Sequence, residues 1–160
     1  MNNLNTEIFA NHDKTIAFTF WENEDNGDLM VSYDNHTGIN STDARRVNLE
    51  ELKHIFNICM DERPCYSLCD VDETEFYIKI VSPGEFRYII FNEYDNKDIT
   101  VQFLTRGLYI DKSDPHNWVE REDVMELGNE HQLTCNDLYR IRKMCNISDI
   151  ELRSIQCQMF

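Results

Sequence analysis

The chain has 160 residues, enough for one domain with a real core, and sets 30 acidic against 15 basic residues for a formal charge of −15. That excess repels nucleic acid and acidic lipid, and it exceeds the magnitude of roughly 2–8 that keeps a small domain soluble. No apolar run reaches the roughly 18 residues of a membrane span, and the opening MNNLNTEIFANHDK has no basic segment leading into an apolar one. The expectation is therefore a cytoplasmic protein whose six cysteines are reduced thiols. Asparagine (16) and isoleucine (15) are abundant, as in AT-rich coding sequences, yet only six lysines accompany them, which reads as avoidance of positive charge. Residues 134–160 carry Asp137, Asp149 and Glu151 against Arg140, Arg142, Lys143 and Arg153, a net of +1, so the first 133 residues hold −16.

In chain order, KTIAFTFW (14–21) alternates with Ile16, Phe18 and Phe20 on one face, the period of a half-buried strand. LMVSY (29–33) returns after NEDNGD, whose Asn26-Gly27 step suits a tight hairpin turn. RVNLEELKHIFNICMD predicts a helix capped by Asn48, with Glu51 as reciprocal partner, Val47 and Leu52 as a hydrophobic staple, and Leu52, Ile55, Phe56 and Cys59 as the buried stripe. Pro64 ends it, residues 61–69 read as a connection, and Asp70 to Glu75 lead into a strand. Segments 75–82, 85–92 and 98–105 read as an antiparallel meander turned at Pro83-Gly84 and at EYDNK, with GLYI (107–110) as a further short strand. After the loop DKSDPHN, residues 118–127 read as a helix stopped by Gly128. Two staple-and-box patterns, Leu133-Thr134-x-x-Asp137-Leu138 and Ile147-Ser148-x-x-Glu151-Leu152, predict short helices at about 134–145 and 148–158. No internal repeat stands out along the chain. The expected architecture is one α+β domain over 1–160: an N-terminal hairpin plus a three- or four-strand antiparallel meander, packed with one capped helix and a C-terminal helical hairpin.

Cys65-x-x-x-Cys69 with His131-x-x-x-Cys135 has zinc-ligand spacing, but no CxxC pair supports it, and small buried thiols are the simpler expectation. A nucleophilic cysteine is disfavoured, because His54 lies five residues before Cys59 and acids flank the other thiols. Asp111, Asp114 and His116 form a metal-or-base constellation that reads better as an Asp-Pro turn. Glu85 with Asp95-x-Lys97 loosely resembles a metal-dependent nuclease set, without the basic groove that phosphates require. LTCNDLYRIRKMCNISDIELRSIQ resembles the opening helices of phage-repressor-like domains in rhythm; the acidic charge opposes independent DNA binding, and Arg140, Arg142 and Lys143 read as a solvated face or a dock onto the acidic body. No phosphate-loop, dinucleotide, zinc-protease, serine-hydrolase or EF-hand motif occurs.

What remains is acid. Glu22, Glu24, Asp25 and Asp28 surround the first turn, Asp70, Asp72, Glu73 and Glu75 precede the meander, and Glu93, Asp95 and Asp98 surround a later turn. Glu120, Glu122, Asp123, Glu126 and Glu130 follow Trp118. With aromatics such as Trp21, Tyr66, Tyr94 and Trp118 close by, these clusters have the rim-and-anchor composition of a protein-binding surface. The functional expectation is a non-enzymatic acidic inhibitor that occludes a basic protein partner, either an immunity protein against a toxin or a phage-encoded antagonist of a host nucleic-acid-binding or proteolytic machine. No cofactor, metal, nucleic acid or membrane enters this reading. A small metal-binding protein or metal-dependent hydrolase is the alternative.

Overall fold

The computed structural model describes residues 6–35, 39–40, 44–60, 66–82, 85–111 and 114–147. The chain is α+β, and the described residues form two antiparallel sheets and two helices. It divides into two compact units: one from Met1–Asp61 with Leu133–Phe160, the other from Glu62–Gln132.

In the first unit, β1 (Thr6–Ala10), β2 (Ile16–Glu22), β3 (Leu29–Asn35) and the two-residue β4 (Ile39–Asn40) pair in sequence order, and β5 (Arg45–Arg46) also pairs with β3. The 14–21 and 29–33 strands are where the alternation puts them, with Phe18 and Phe20 buried. The connecting turn is wider than a two-residue one. Pairing stops at Glu22 and Leu29, Gly27 N–H donates to Asn23 O (2.8 Å), and Gly27 alone there takes a positive φ, 77°. Helix α1 (Leu49–Cys59) buries the predicted stripe, and Glu51 N–H donates to Asn48 Oδ1 (2.8 Å). The reciprocal half of that box does not form, because the Glu51 carboxylate is taken by Arg45 across the cap. Aromatic edges lock the core: Phe9 and Phe20 lie 5.1 Å apart edge-to-face, and Phe9 and Phe56 lie 5.8 Å apart.

The second unit is a six-stranded sheet. It holds β6 (Tyr66–Asp72), β7 (Glu75–Ser82), β8 (Glu85–Glu93), β9 (Ile99–Asp111) and β10 (Asp114–Leu127) in antiparallel order, with β11 (His131–Gln132) also on β9. Its inner face buries Phe76, Ile78, Ile80, Ile89, Phe91, Val101 and Phe103. Three expectations change here. The supposed connection before the meander contains β6, an edge strand closed onto β7 by a turn at Glu73-Thr74. The 107–110 strand is the continuation of β9, and residues 114–117 before Trp118 are strand rather than loop. Residues 118–127 are strand, not helix: they pair along the free edge of β9, with register shifts that reflect their acidic, weakly β-forming sequence. Gly128 stops no helix. Its N–H donates to Phe103 O (2.8 Å), and an added Cβ would come within 3.1 Å of that carbonyl.

Helix α2 (Cys135–Met144) returns to the first unit, on β1 and β2. Its Thr134/Asp137 box closes in both directions, with Thr134 N–H donating to Asp137 Oδ2 (3.0 Å) and Asp137 N–H to Thr134 Oγ1 (3.3 Å). It ends in a Schellman motif, with Asn146 at φ 52° and Ile147 N–H donating to Arg142 O (3.0 Å). Arg142 is not solvated: it is 8% exposed and paired with the equally buried Glu7 of β1. The predicted helix at 148–158 and the Pro83-Gly84 turn lie outside the described residues. Among the described residues no helix is long and apolar enough to cross a membrane.

The pairing registers expose a duplication that the linear sequence hides. Phe20 faces Val31 as Phe91 faces Val101, and Phe18 faces Tyr33 as Ile89 faces Phe103. β5 meets β3 through Arg46–Met30 and Arg45–Val31; β11 meets β9 through Gln132–Thr100 and His131–Val101, the same register. The turns correspond too, with Gly27 (φ 77°) matched by Lys97 (φ 71°). Thirteen residues from Val47 then align without a gap on those from Leu133: Asn48 with Thr134, Glu51 with Asp137, Leu52 with Leu138, Ile55 with Ile141 and Cys59 with Cys145. The chain is thus two copies of a three-strand meander, a short return strand and a capped helix. Substituted strand positions, a turn one residue shorter and sixteen more residues between the third strand and the return strand in the second copy mask the repeat in sequence.

Candidate functional site

The twelve sequence-predicted binding residues fall at three places. Glu22, Glu24, Asp25 and Asp28 belong to the first unit. Glu24 and Asp25 are exposed at the tip, while Asp28 faces Arg46 at 3.6 Å and the Glu22 carboxylate acts on the Cys135 thiol of α2. Trp118, Glu120, Glu122 and Asp123 lie on β10, at one edge of the second sheet. Asp70, Asp72, Glu73 and Glu75 lie at the other edge, around the β6–β7 turn.

The sheet keeps the last two groups apart. Three strands separate β6 from β10, and Trp118 and Glu120 pair with Ile110 and Leu108, eight to ten residues further along β9 than Thr100. At about 3.3 Å per residue that is roughly 25–35 Å along the strand. The sheet instead gathers other acids beside the β6–β7 turn. Glu75 pairs with Asn92 and Asn92 with Thr100, so the hairpin end of β7, the β8–β9 turn and the chain after β10 share one end of the sheet. Glu93 N–H donates to Thr74 O (2.9 Å), and the Glu130 carboxylate accepts from both Tyr94 and Thr100. Asp72, Glu73, Glu75, Glu93, Asp95, Asp98 and Glu130 thereby form one acidic end.

Local hydrogen bonds favour the charged form of two of them, Asp72 and Glu130. The Thr74 hydroxyl and N–H donate to Asp72 Oδ1 (2.8 and 2.7 Å) and hold its carboxyl below the usual carboxylate range. Thr100 and Tyr94 do the same for Glu130, and the negative Glu130 in turn raises the Tyr94 phenol.

The outer face of the same sheet, adjoining this end, carries aromatic and aliphatic side chains that are only half-buried among the described residues. Tyr77 and Tyr88 meet edge-to-face at 5.9 Å, with Ile90 and Leu104 beside them, and Val71 at the β6 bulge is 51% exposed. They line an open groove of about 350 Å³, with Glu75 and Arg106 also in its wall. The Lys79 ammonium sits 4.2 Å from the Phe86 ring centre and 5.8 Å from that of Tyr88, so these rings already receive a cation. A hydrogen bond with Cys69, opposite Tyr77 on β6, raises the Tyr77 phenol. Tyr77, Tyr88 and the groove went unnoticed in sequence; the available signal was that FYIKI and FRYIIF carry apolar residues on both strand faces.

Among the described residues no metal constellation is brought together. Cys65 lies outside the described residues. Cys69 on β6 and His131 on β11 are separated by β7, β8 and β9, on the order of 20 Å, and Cys135 belongs to the other unit. Among the described residues no three His, Cys, Asp or Glu side chains are grouped to hold an ion. Asp111 and Asp114 face one another across the β9–β10 hairpin, and His116 is on β10 rather than in a loop. Burial pushes the Cys59, Cys135 and Cys145 thiols up to about 12, which leaves them as protonated core residues. No protein-family model, curated protein or solved structure matches the chain.

Proposed function

We propose that this chain is a non-enzymatic inhibitor that binds a basic protein and occludes the surface it covers. One observation carries the reading: ionised, exposed carboxylates at one end of the second sheet adjoin an open aromatic face on the same strands. Carboxylates of one sign steer a basic partner and raise its association rate, and aromatic anchors excluded from water then slow its release. A chain of −15 has little use for such a face toward nucleic acid or acidic lipid. The fitting partner is a protein with a basic substrate cleft, either a toxin or a host nucleic-acid-binding or proteolytic machine, met in the cytoplasm. The test is capture of partners from lysate with the intact chain at low and raised salt, followed by association kinetics. Reversing Asp70, Asp72 and Glu73 to lysine is expected to slow association about tenfold or more at low salt. An unchanged rate, or absence of any basic partner, defeats the proposal.

A further inference from the structure

The duplication allows the outer faces of the two sheets to be compared position by position. Ile8 faces Thr19 and Ala10 faces Ala17 in the first copy; Tyr77 faces Ile90 and Lys79 faces Tyr88 in the second. The registers make Ile8 the counterpart of Tyr77, Ala10 of Lys79 and Ala17 of Tyr88. In the first copy this face is closed over, and Ile8, Ala10 and Ala17 are buried as a cluster at 8%, 0% and 3% exposure. In the second, the same positions are enlarged to two tyrosines and a lysine, all only half-buried, and both tyrosines line the groove. This face of the repeat is therefore built to be covered, and its second version is left open with different chemistry.

That chemistry specifies the cover. The floor is aromatic and aliphatic, a cation already lies on the Phe86 and Tyr88 rings, and Glu75 in the wall continues into Asp72 and Glu73 at the hairpin. We propose that the groove over Tyr77 and Tyr88 takes an extended basic segment of the partner, seating one apolar or aromatic side chain between the tyrosines and directing flanking Lys or Arg toward Asp72, Glu73 and Glu75. The inference rests on the basic-partner reading and adds to it a location, an anchor and a sequence character. Charge selects the segment, and the apolar side chain holds it.

The experiment uses the intact, isotopically labelled chain and two acetylated, amidated nine-residue peptides, one alternating Lys with Phe and the other alternating Lys with Ser. The Lys/Phe peptide is expected to shift the amides of Tyr77, Tyr88, Ile90 and Leu104 saturably and to bind about tenfold or more tightly than Lys/Ser. Tyr88→Ser, and separately Leu104→Trp, which fills the groove without removing a wall, should each abolish that preference. Equal binding of the two peptides, with shifts confined to the acidic end and no effect of either variant, overturns the groove while leaving the acidic-inhibitor reading standing. Absence of shifts with both peptides overturns the groove and its acidic rim together. Concentration-dependent dimerisation of the free chain that Leu104→Trp removes would make a second copy the occupant and overturn the basic-segment assignment.

Discussion

The two copies of the repeat share a backbone plan and differ in what they do with one face. In the first, the positions opposite the main core are Ile8, Ala10 and Ala17, small or aliphatic and closed off from water. In the second they are Tyr77, Lys79 and Tyr88, only half-buried, beside a groove and an acidic rim. The same register thus serves stability in one sheet and, in the proposed function, recognition in the other. The contrast separates residues whose substitution should harm folding from those whose substitution should harm binding.

Exchanging the faces breaks this contrast most severely. Grafting the second copy onto the first with Ala10→Lys and Ala17→Tyr places a charge and a large ring where no space exists, and should cost on the order of 5 kcal/mol or more. The reverse exchange, Lys79→Ala with Tyr88→Ala, should cost only about 1–2 kcal/mol, the loss of a cation–π contact and partly exposed apolar area. Urea denaturation of both double variants measures the difference; similar losses would mean the second face is core after all. Next in size is the buried Glu7–Arg142 pair; at the strand position that matches Glu7 the second sheet has Phe76, stacked on Phe91 at 4.8 Å. Glu7→Ala should cost about 3–5 kcal/mol by stranding the guanidinium, and Arg142→Met in the same chain should restore much of it.

The paired turns give a smaller test. Gly27 and Lys97 hold the same left-handed conformation, but only glycine adopts it freely. Gly27→Lys should lose about 1–2 kcal/mol and Lys97→Gly should gain about 1 kcal/mol by thermal melting, because nothing lies within 4 Å of a Cβ at Gly27 to add a clash. The smallest effect is in pH. Asp72 and Glu130 have folded-state values below their ordinary ones, so each adds stability that is full above the unfolded carboxylate range and disappears as pH falls through the lowered value. Tyr94 works in the opposite sense, its contribution present below the ordinary phenol value and lost as pH rises through the elevated one. Carboxyl-carbon NMR titration should place Asp72 and Glu130 low, and Thr74→Ala should return Asp72 toward its ordinary value.

Much of the scaffold was readable from residue pattern. Alternation found the strands at 16–22, 75–82 and 85–93, and cap residues found both described helices, because each signal is local. β6 and β10 were missed because their strand character comes from pairing with β7 and β9, not from their own acidic sequences. The same cause scattered the site. Asp70 to Glu75 carried a visible charge signal, but only sheet register brings Glu93 and Glu130 to that end and takes Glu120 to Asp123 away from it. The repeat stayed hidden because its two outer faces diverged in chemistry while its registers were kept.

Hydrogen–deuterium exchange of the intact chain, alone and saturated with a partner captured from lysate, tests the central claim most directly. Slowed exchange is expected along Tyr66–Ser82 and Glu85–Glu93, strongest around Tyr77 and Tyr88, with β10 and the 23–28 turn unchanged. Protection confined to β10 or to the first-unit turn, with the second sheet's open face still exchanging freely, would contradict it.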